Sequence, residues 1–417
     1  MIEPIYNWFD GMIDSCRVHD MVLDLIRSLS REENFVTILN GMDNTSSSCT
    51  IRRLSLQSGK DNNSMAQATG RLLQARSVVA FPSAVALVPA LDSCRVLRVV
   101  DLEGCYLSQA TNSLIYLEKL HHLRTTRVPK GIGNLTCLER VLWLGIDGST
   151  TNIMEDLCLL TEMRQLYIQL DEWNVKLLEC LCELPKIQEL IIMVITGQRN
   201  IGGFDAWVAP RHLCVLSTRN STWFSTLPAW VNPSLLSDLT GLSIAVKELH
   251  QVHLTILGKL PALRCLEIEV DNMKLRILEG FVVGAGSFPC LVRCELSQFV
   301  WPVVFQQGAM TRLRDLTLEL FYVRESRGMA ISYGGLDLGL GNLPSLEDVS
   351  TRLLYEGASK EDMRQAEAAL RHAAEMHPNH PHHNISTGMM NSDVFDNGYD
   401  KLVDRTSDDI VPVFGYS

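Results

Sequence analysis

Carboxylates recur at every second position in short stretches of the C-terminal half of the chain. In a β-strand, alternate side chains point to the same side of the sheet, so each stretch would place its polar residues on one face. These outward positions are Glu267, Glu269, Arg293, Glu295, Ser297, Asp315, Thr317 and Glu319. Five of the eight are acidic and one is basic. This composition indicates a surface that binds a basic partner protein.

An alternative explanation is that a chain with net charge −11 shows acid on any face. However, like charges stacked on adjacent strands repel one another at close range. A stripe of acid therefore implies that the fold tolerates an energetic cost, which favours a binding role.

Histidines are weaker candidates for chemistry. His250 and His253 lie near Glu248, but the spacing is loose and no further ligands follow, so solvent-facing histidines are the better interpretation. The sequence contains no G-x-x-x-x-G-K-[ST] loop, no G-x-S-x-G elbow and no H-E-x-x-H helix. We expect no catalytic residues, no metal site and no enzyme.

Tryptophans cluster within residues 207–230, where Trp207, Trp223 and Trp230 accompany Phe204 and Phe224. One interpretation is an aromatic hot spot for a partner. The other, which we favour, is packing beneath a longer insertion.

Charge and cysteine usage restrict the class of protein further. The net charge of −11 disfavours a nucleic-acid partner, which would require an excess of basic residues. Cysteines such as Cys265 and Cys294 fall within predicted strands, as small apolar side chains do in a reducing compartment. The N-terminus lacks the pattern of a secretory signal, and no apolar window is long enough to span a bilayer. We expect a cytoplasmic protein.

A repeated hexamer must position these side chains. The pattern L-x-x-L-x-I occurs at Leu239 and again at Leu263, 24 residues later. Weaker versions begin at Ile51, Ala75, Leu97, Leu123, Leu138, Met163, Ile187, Leu213, Leu291, Leu313 and Leu346. Ten of the twelve steps span 22–28 residues, the period of leucine-rich repeats, in which each coil supplies one short strand and one returning helix or turn. The sequence predicts an α/β leucine-rich-repeat solenoid with a curved parallel sheet on its concave face and helices or turns on its convex face.

The ends of the chain differ from this pattern. Strands are predicted at Ile2–Tyr6 and Ser15–Val18, followed by a helix that Asp20 caps. Residues 359–376 predict a last helix that caps the array. Beyond it, residues 377–417 are polar and His-rich, and we expect a disordered tail.

Several phrases resemble one family. The segment that begins at Cys16 and contains Val18-His19-Asp20 resembles the end of the nucleotide-binding module of plant NB-ARC–LRR disease-resistance proteins of the coiled-coil type, whose usual motif is Met-His-Asp. Phrases such as Ile132-Gly-Asn-Leu-Thr-Cys-Leu-Glu and Leu260-Pro-Ala-Leu-Arg-Cys-Leu-Glu resemble the LRR region of that family. The resemblance covers roughly residues 1–385.

The resemblance implies a division into four parts. These are a winged-helix (ARC2) remnant at 1–45, an LRR domain at 46–358, a capping helix at 359–376 and a polar tail at 377–417. In such receptors the motif histidine contacts the phosphate of bound ADP, so His19 and Asp20 would be nucleotide-binding residues. The phosphate-binding loop of the family does not occur in this sequence, so we expect no bound ADP or ATP and no other cofactor in this chain.

The resemblance also implies a function. The chain would be the interaction domain of an intracellular plant immune receptor, and it would bind a pathogen effector, a host guardee or the nucleotide-binding module of another receptor. Three alternatives stay open: a receptor fragment that keeps nucleotide-switch chemistry by supplying His19 to a partner chain, a general LRR scaffold or adaptor unrelated to immunity, and a decayed duplicate without function.

Overall fold

The described residues of this computed structural model cover most of the chain. They are residues 2–6, 13–33, 35–39, 51–57, 73–83, 94, 96–102, 105, 118–125, 131–146, 152–195, 200–201, 203–271, 281–300, 303–323, 338–356 and 360–389. The chain divides into two compact units. The first unit comprises Val18–Arg199, and the second comprises Asn200–Ser417 together with Ile2–Arg17.

In the second unit, a separate two-stranded sheet forms from the first residues of the chain. Its strands are β1 (Ile2–Tyr6) and β2 (Ile13–Val18). Both agree with the strands predicted from the sequence.

In the first unit, parallel strands form a ladder in which each strand pairs with the next along the chain. The strands are β3 (Thr37–Leu39), β4 (Arg53–Leu56), β5 (Ser77–Ala80), β6 (Val99–Leu102), β7 (His122–Thr125), β8 (Arg140–Ile146), β9 (Gln165–Leu170) and β10 (Glu189–Val194). Its helices are α1 (Asp20–Glu32), α2 (Ile153–Cys158) and α3 (Lys176–Cys182).

The second unit contains a ladder of the same kind. Its strands are β12 (Val215–Ser217), β14 (Gly241–Val246), β15 (Cys265–Val270), β17 (Arg293–Val300), β19 (Asp315–Val323), β20 (Asp348–Glu356) and β21 (His382–Met389). The short strands β11 (Asn200–Ile201), β13 (Thr222–Phe224), β16 (Phe281–Val283) and β18 (Val303–Phe305) lie between them in the chain. Its helices are α4 (Gln251–Leu257) and α5 (Lys360–Glu375).

The repeated hexamer accounts for these ladders. Twelve of the thirteen predicted hexamers are followed by a strand that begins two residues after the hexamer starts. In the hexamer at Leu263, the apolar side chains of Leu263, Leu266 and Ile268 are all fully buried. Each coil therefore hides its apolar positions in the core and leaves the alternate positions on the opposite, polar face of the sheet. The predicted α/β leucine-rich-repeat solenoid is confirmed.

One hexamer is out of register. Strand β7 begins at His122, one residue before Leu123, so Leu123 is the fourth position of its hexamer and not the first. The first position is Leu120, whose side chain is fully buried. The coil that ends at Leu138 is consequently 18 residues long instead of 15, and its described residues include a 3₁₀ turn at Ile132–Asn134.

The N-terminal part of the first unit covers the edge of the first coil with a strand. Strand β3 pairs in parallel with β4, and the guanidinium of Arg53 lies 4.1 Å above the ring of Phe35. Helix α1 has the predicted amphipathic pattern, but its apolar side chains are exposed, with Met21 at 77%. The strand therefore protects the open edge of the sheet, and the apolar face of the helix stays open. The winged-helix identity of residues 1–45 stays a prediction.

At the C-terminal end, the structure differs from the predicted end of the array and from the predicted start of the disordered tail. Helix α5 does not end the array, because β21 follows it and pairs in parallel with β20 over eight residue positions. Residues 377–389 are therefore ordered, although the sequence predicts a disordered tail from 377. The His377 side chain is buried, with its Nε2 3.1 Å from the carbonyl of Leu343. Residues 390–417 lie outside the described residues.

Candidate functional site

The polar face of the second ladder carries the predicted binding residues. Parallel pairing places equivalent positions of successive coils side by side, so the face consists of rows that run across the strands. The central row consists of Ser243, Glu267, Glu295, Thr317, Ser350 and Asn384. A second row consists of Arg293, Asp315, Asp348 and His382.

The predicted acidic stripe is occupied by an arginine from the same chain. Arg219 follows β12 and reaches over β15 and β17. Its Nη1 lies 2.5 Å from Glu295 Oε1, and its Nε donates to Glu269 Oε2 at 3.2 Å. Its Nη2 donates to Ser297 Oγ at 3.2 Å, and Nη1 lies 3.7 Å from Glu267 Oε2. We refer to Arg219 with these three carboxylates and Ser297 as the arginine clamp.

A compact turn holds Arg219 in this position. The backbone N–H of Thr218 donates to the Ser243 carbonyl at 2.9 Å, which ties the turn to β14. The N–H and the hydroxyl of Ser221 both donate to the Thr218 carbonyl, and Thr218, Ser221 and Thr222 are buried. These backbone hydrogen bonds fix the turn, and the fixed backbone directs the guanidinium of Arg219 onto the sheet.

Charge balance explains why carboxylates are tolerated there. Burial by itself lowers the pKa of Arg219, but the negative charges of Glu295, Glu267 and Glu269 outweigh burial and raise that pKa above its ordinary value. The guanidinium therefore stays charged and offsets part of the repulsion between the carboxylates.

Two neighbouring polar groups complete the arginine clamp. Ser243 Oγ donates to Glu267 Oε2 at 2.6 Å. Gln298, at a bulge of β17 with φ 59°, donates from Nε2 to Glu269 Oε1 at 3.3 Å. Glu267 and Glu269 are only 7% and 3% exposed. These two carboxylates are thus part of the interior and not of the accessible surface.

The other half of the polar face is open. Thr317 and, beyond it on β20 and β21, Ser350 and Asn384 are exposed. Arg352 Nη1 lies 3.7 Å from Glu319 Oε1, and burial raises the pKa of Glu319. A partner can reach this part of the sheet without displacing the clamp.

Adjacent carboxylates concentrate negative charge at one edge of the open half. Asp315 and Asp348 are register partners on β19 and β20, and Arg293 Nε lies 3.9 Å from Asp315 Oδ2. Burial raises the pKa of Asp315, and the charge of Asp348 raises it further, against the opposing effect of Arg293. A cation supplied by a partner would relieve this repulsion.

The structure thus brings all eight predicted outward residues onto one face and divides them between two environments. Glu267, Glu269, Glu295 and Ser297 belong to the arginine clamp, whereas Asp315, Thr317 and Glu319 line the open half, and Arg293 lies at the boundary. Sequence reasoning missed Arg219 and Arg352. Nothing in the hexamer pattern identifies Arg219, because it lies in a turn outside the repeat.

The resemblance-based residues His19 and Asp20 lie at the start of α1 and are both exposed. His19 Nδ1 accepts a hydrogen bond from the Met21 N–H at 3.3 Å, and its carbonyl accepts from Val22 and Leu23. His19 rather than Asp20 therefore caps the helix. The nucleotide contact suggested for the two residues stays a prediction.

His250 and His253 lie at the N-terminal end of α4 and cap that helix. His253 Nδ1 accepts from the His250 N–H at 3.2 Å, and His250 Nε2 lies 3.8 Å from Glu248 Oε2. Within the described ranges, no group of three or more His, Cys, Asp or Glu side chains is arranged to hold a metal ion. None of the described helices combines the length and apolar character that a bilayer crossing requires.

The aromatic cluster packs inside the second unit. Phe204 meets Trp207 and Phe224 edge to face at centroid distances of 5.3 Å and 5.9 Å, and Trp207 meets Trp230 at 5.5 Å. These four side chains are buried, and Trp223 is half-buried. Of the two interpretations, packing beneath an insertion is the one the geometry favours.

Known proteins share this architecture. A family model described as a leucine-rich repeat region matches residues 124–383, more than half of the chain. The disease resistance protein RGA5 of rice is 24% identical over 447 aligned positions, which cover 91% of this chain and 39% of that protein. The rice disease resistance protein PIK6-NP is 29% identical over 195 positions, which cover 39% of this chain and 18% of that protein. The rice disease resistance protein Pik-2 is 34% identical over 147 positions, which cover 33% of this chain and 14% of that protein.

The chain is also similar to two solved structures. An internalin (inlF) from Listeria monocytogenes gives a TM-score of 0.43 at 14% identity, covering 79% of this chain and 89% of that chain. A complex of TLR13 with ssRNA13 gives a TM-score of 0.35 at 17% identity, covering 76% of this chain and 45% of that chain.

The relatives confirm the resemblance to plant disease-resistance proteins that the sequence phrases indicate. The chain spans less than two fifths of the length of the three curated relatives described above. From the repeated coil and the match to the family model, the chain belongs to the leucine-rich repeat family.

Proposed function

We propose that this chain is the protein-interaction region of a cytoplasmic plant immune receptor and that it acts without catalysis. Its partner is a pathogen effector, a host protein that an effector modifies, or the nucleotide-binding module of a related receptor. The relatives are named disease resistance proteins, which supports the immune role. The repeated coil supports binding to a protein. The rival is a general LRR scaffold unrelated to immunity.

The observation that carries the proposal is the division of the polar face. The guanidinium of Arg219 offsets part of the repulsion between the carboxylates on β15 and β17, and the open half presents Asp315 and Asp348 side by side. Directly opposed like charges destabilise a sheet unless a counter-charge offsets them. Arg293 Nε, 3.9 Å from Asp315 Oδ2, provides one counter-charge for two carboxylates. The partner therefore supplies a second counter-charge, a Lys or Arg side chain, to the open half.

The binding test uses charge reversal on the open half. The full chain and its Asp315→Lys/Asp348→Lys variant are expressed in plant cells, and the recovered receptor and effector proteins are quantified. The control is Glu172→Lys/Glu183→Lys, which changes charge equally at exposed positions of the first unit. We expect the reversal on the open half to reduce recovery of the partner at least about tenfold, with the control unchanged. Equal recovery from all three chains would eliminate the open half as the contact surface.

The immune role is tested separately, in plants from which the chain has been removed. Growth of a panel of pathogens is compared between these plants and the unmodified line. Greater growth of at least one pathogen supports the immune role. Unchanged growth across the panel, combined with partners that all lie outside immune signalling, supports the scaffold instead.

A further inference from the structure

The first unit carries an exposed row of positive charge. Arg52, Arg76 and Arg98 each precede one of three neighbouring strands, β4, β5 and β6. The Arg76 N–H donates to the Arg52 carbonyl at 2.7 Å, and the Arg98 N–H donates to the Arg76 carbonyl at 2.9 Å. Adjacent members of the row are therefore about one strand spacing apart, roughly 4.8 Å. We call these three exposed residues the arginine edge.

Two described acidic side chains of this ladder, Asp101 and Glu139, pair with other bases. Asp101 Oδ2 lies 3.8 Å from Arg124 Nη1, and Glu139 Oε1 lies 3.1 Å from His121 Nδ1. Glu139 Oε2 also lies 3.8 Å from Arg164 Nε. Among the described residues, no ion pair involves a member of the arginine edge. The side chains of all three arginines are exposed, so a partner can reach them.

The polar face beside the row adds one positive charge: Arg140 on β8 is charged, whereas its register partner His122 on β7 is uncharged near pH 7. Burial, together with the positive charge of Arg140, lowers the pKa of His122 to about 4. Residues 51–140 contain 12 Lys and Arg against 6 Asp and Glu, a net charge of +6 in a chain whose total is −11. The positive charge is thus concentrated in one stretch of the sequence.

We propose that the arginine edge binds an acidic segment of a partner protein. Three like charges at strand spacing repel one another, and a bound row of carboxylates would replace that repulsion with charge-assisted hydrogen bonds. A short acidic segment fits better than a nucleic acid, because the phosphates of a long polyanion would extend beyond the patch and meet a chain that is negative overall. The inference concerns a different surface from the open half and does not depend on the proposed function.

The experiment measures binding of a ten-residue polyglutamate peptide to the purified full chain by fluorescence anisotropy. The test variant is Arg52→Gln/Arg76→Gln/Arg98→Gln. The matched control is Arg211→Gln/Arg312→Gln/Arg364→Gln, which removes the same charge from exposed positions of the second unit. If the triple variant fails to fold, the single variant Arg76→Gln is used as the test variant in its place. A ten-nucleotide single-stranded DNA is titrated in parallel.

We expect the peptide to bind the unmodified chain, with an affinity that falls as salt is added. The triple variant on the arginine edge should lose at least about tenfold in affinity, and Arg76→Gln about threefold. The control should stay within about twofold. Absence of peptide binding, or an equal loss in the control, would overturn the proposal. Tighter binding of the DNA that requires the same arginines would also overturn it, in favour of a nucleic-acid partner.

Discussion

Arg219 Nε donates a hydrogen bond to Glu269 Oε2 at 3.2 Å, although the two residues are 50 positions apart in the chain. The contact joins the turn after β12 to the middle of the polar face on β15. It converts part of a predicted binding surface into an internal ion cluster. The accessible surface is accordingly displaced towards β19, β20 and β21.

A glycine that permits a close backbone approach provides the first prediction. Gly339 has φ 69°, and a Cβ on it would lie 2.2 Å from the Phe305 carbonyl oxygen. We expect Gly339→Ala to lower the free energy of unfolding by about 3 kcal/mol, from left-handed strain and overpacking together. Urea denaturation measures the loss.

Substitutions at two other glycines distinguish left-handed strain from overpacking as the cause of this loss. Gly341 lies in the same turn and has no heavy atom within 4 Å of a built Cβ, so Gly341→Ala should change stability by less than about 0.5 kcal/mol. Gly286 has φ 74° and similar free space, so Gly286→Ala should cost only the strain, about 1–2 kcal/mol. Equal losses for Gly339→Ala and Gly341→Ala would contradict the close approach.

His122, a partly buried histidine on the polar face of the first ladder, provides a prediction about the pH dependence of stability. Burial and Arg140 lower the pKa of His122 to about 4, below its ordinary value of 6.5. Between these values the unfolded chain binds a proton that the folded chain does not, so stability falls as pH falls from about 6.5 to 4. Because the side chain is only partly buried, we expect this contribution to be about 1–2 kcal/mol.

His122→Gln should remove that part of the acid sensitivity. Unfolding in urea at pH 7 and at pH 4.5 would show a smaller difference for the variant than for the unmodified chain. His372→Gln, at an exposed position of α5, should leave the difference unchanged. An identical pH dependence for His122→Gln and the unmodified chain would contradict the assigned environment.

Strand β21 provides a third prediction. His377 Nδ1 accepts from the Asn379 N–H at 3.1 Å, and its Nε2–H donates to the Leu343 carbonyl at 3.1 Å. The side chain is 1% exposed. His377→Ala should cost about 2–3 kcal/mol, from lost hydrogen bonds and a cavity.

The same change should speed amide hydrogen exchange in residues 382–389, because the turn that leads into β21 loses its anchor. His372→Ala, one turn earlier in the chain, should affect neither stability nor exchange by a measurable amount. Rapid exchange of residues 382–389 in the unmodified chain would show that this strand is not stably formed.

Local patterns predict the parts of the fold that repeat. Apolar side chains at positions one, four and six of each hexamer are enough to locate strands, because alternation in a strand decides which side chains are buried. Leu120 was overlooked because Leu123 also begins a plausible hexamer. Strand β21 was missed because its polar, His-rich sequence lacks the leucines, and its order depends on pairing with β20.

The candidate site depends on contacts that no local pattern contains. The rows of the polar face follow from the repeat, so the predicted residues do share a face. Which of them are accessible depends on Arg219, which is 50 positions from Glu269 and 76 from Glu295. A tertiary ion pair of this kind has no periodic signal, so the sequence alone could not distinguish a buried carboxylate from an exposed one.

The central claim is that Arg219 and the face carboxylates form one coupled internal cluster. A double-mutant cycle of Arg219→Ala and Glu269→Gln, measured by urea unfolding at pH 7, tests it most directly. Arg219→Ala alone should cost about 3 kcal/mol, because carboxylates would stay buried without their counter-charge. The cycle should give a coupling energy of about 1–3 kcal/mol. Additive effects, with a coupling energy near zero, would contradict the account.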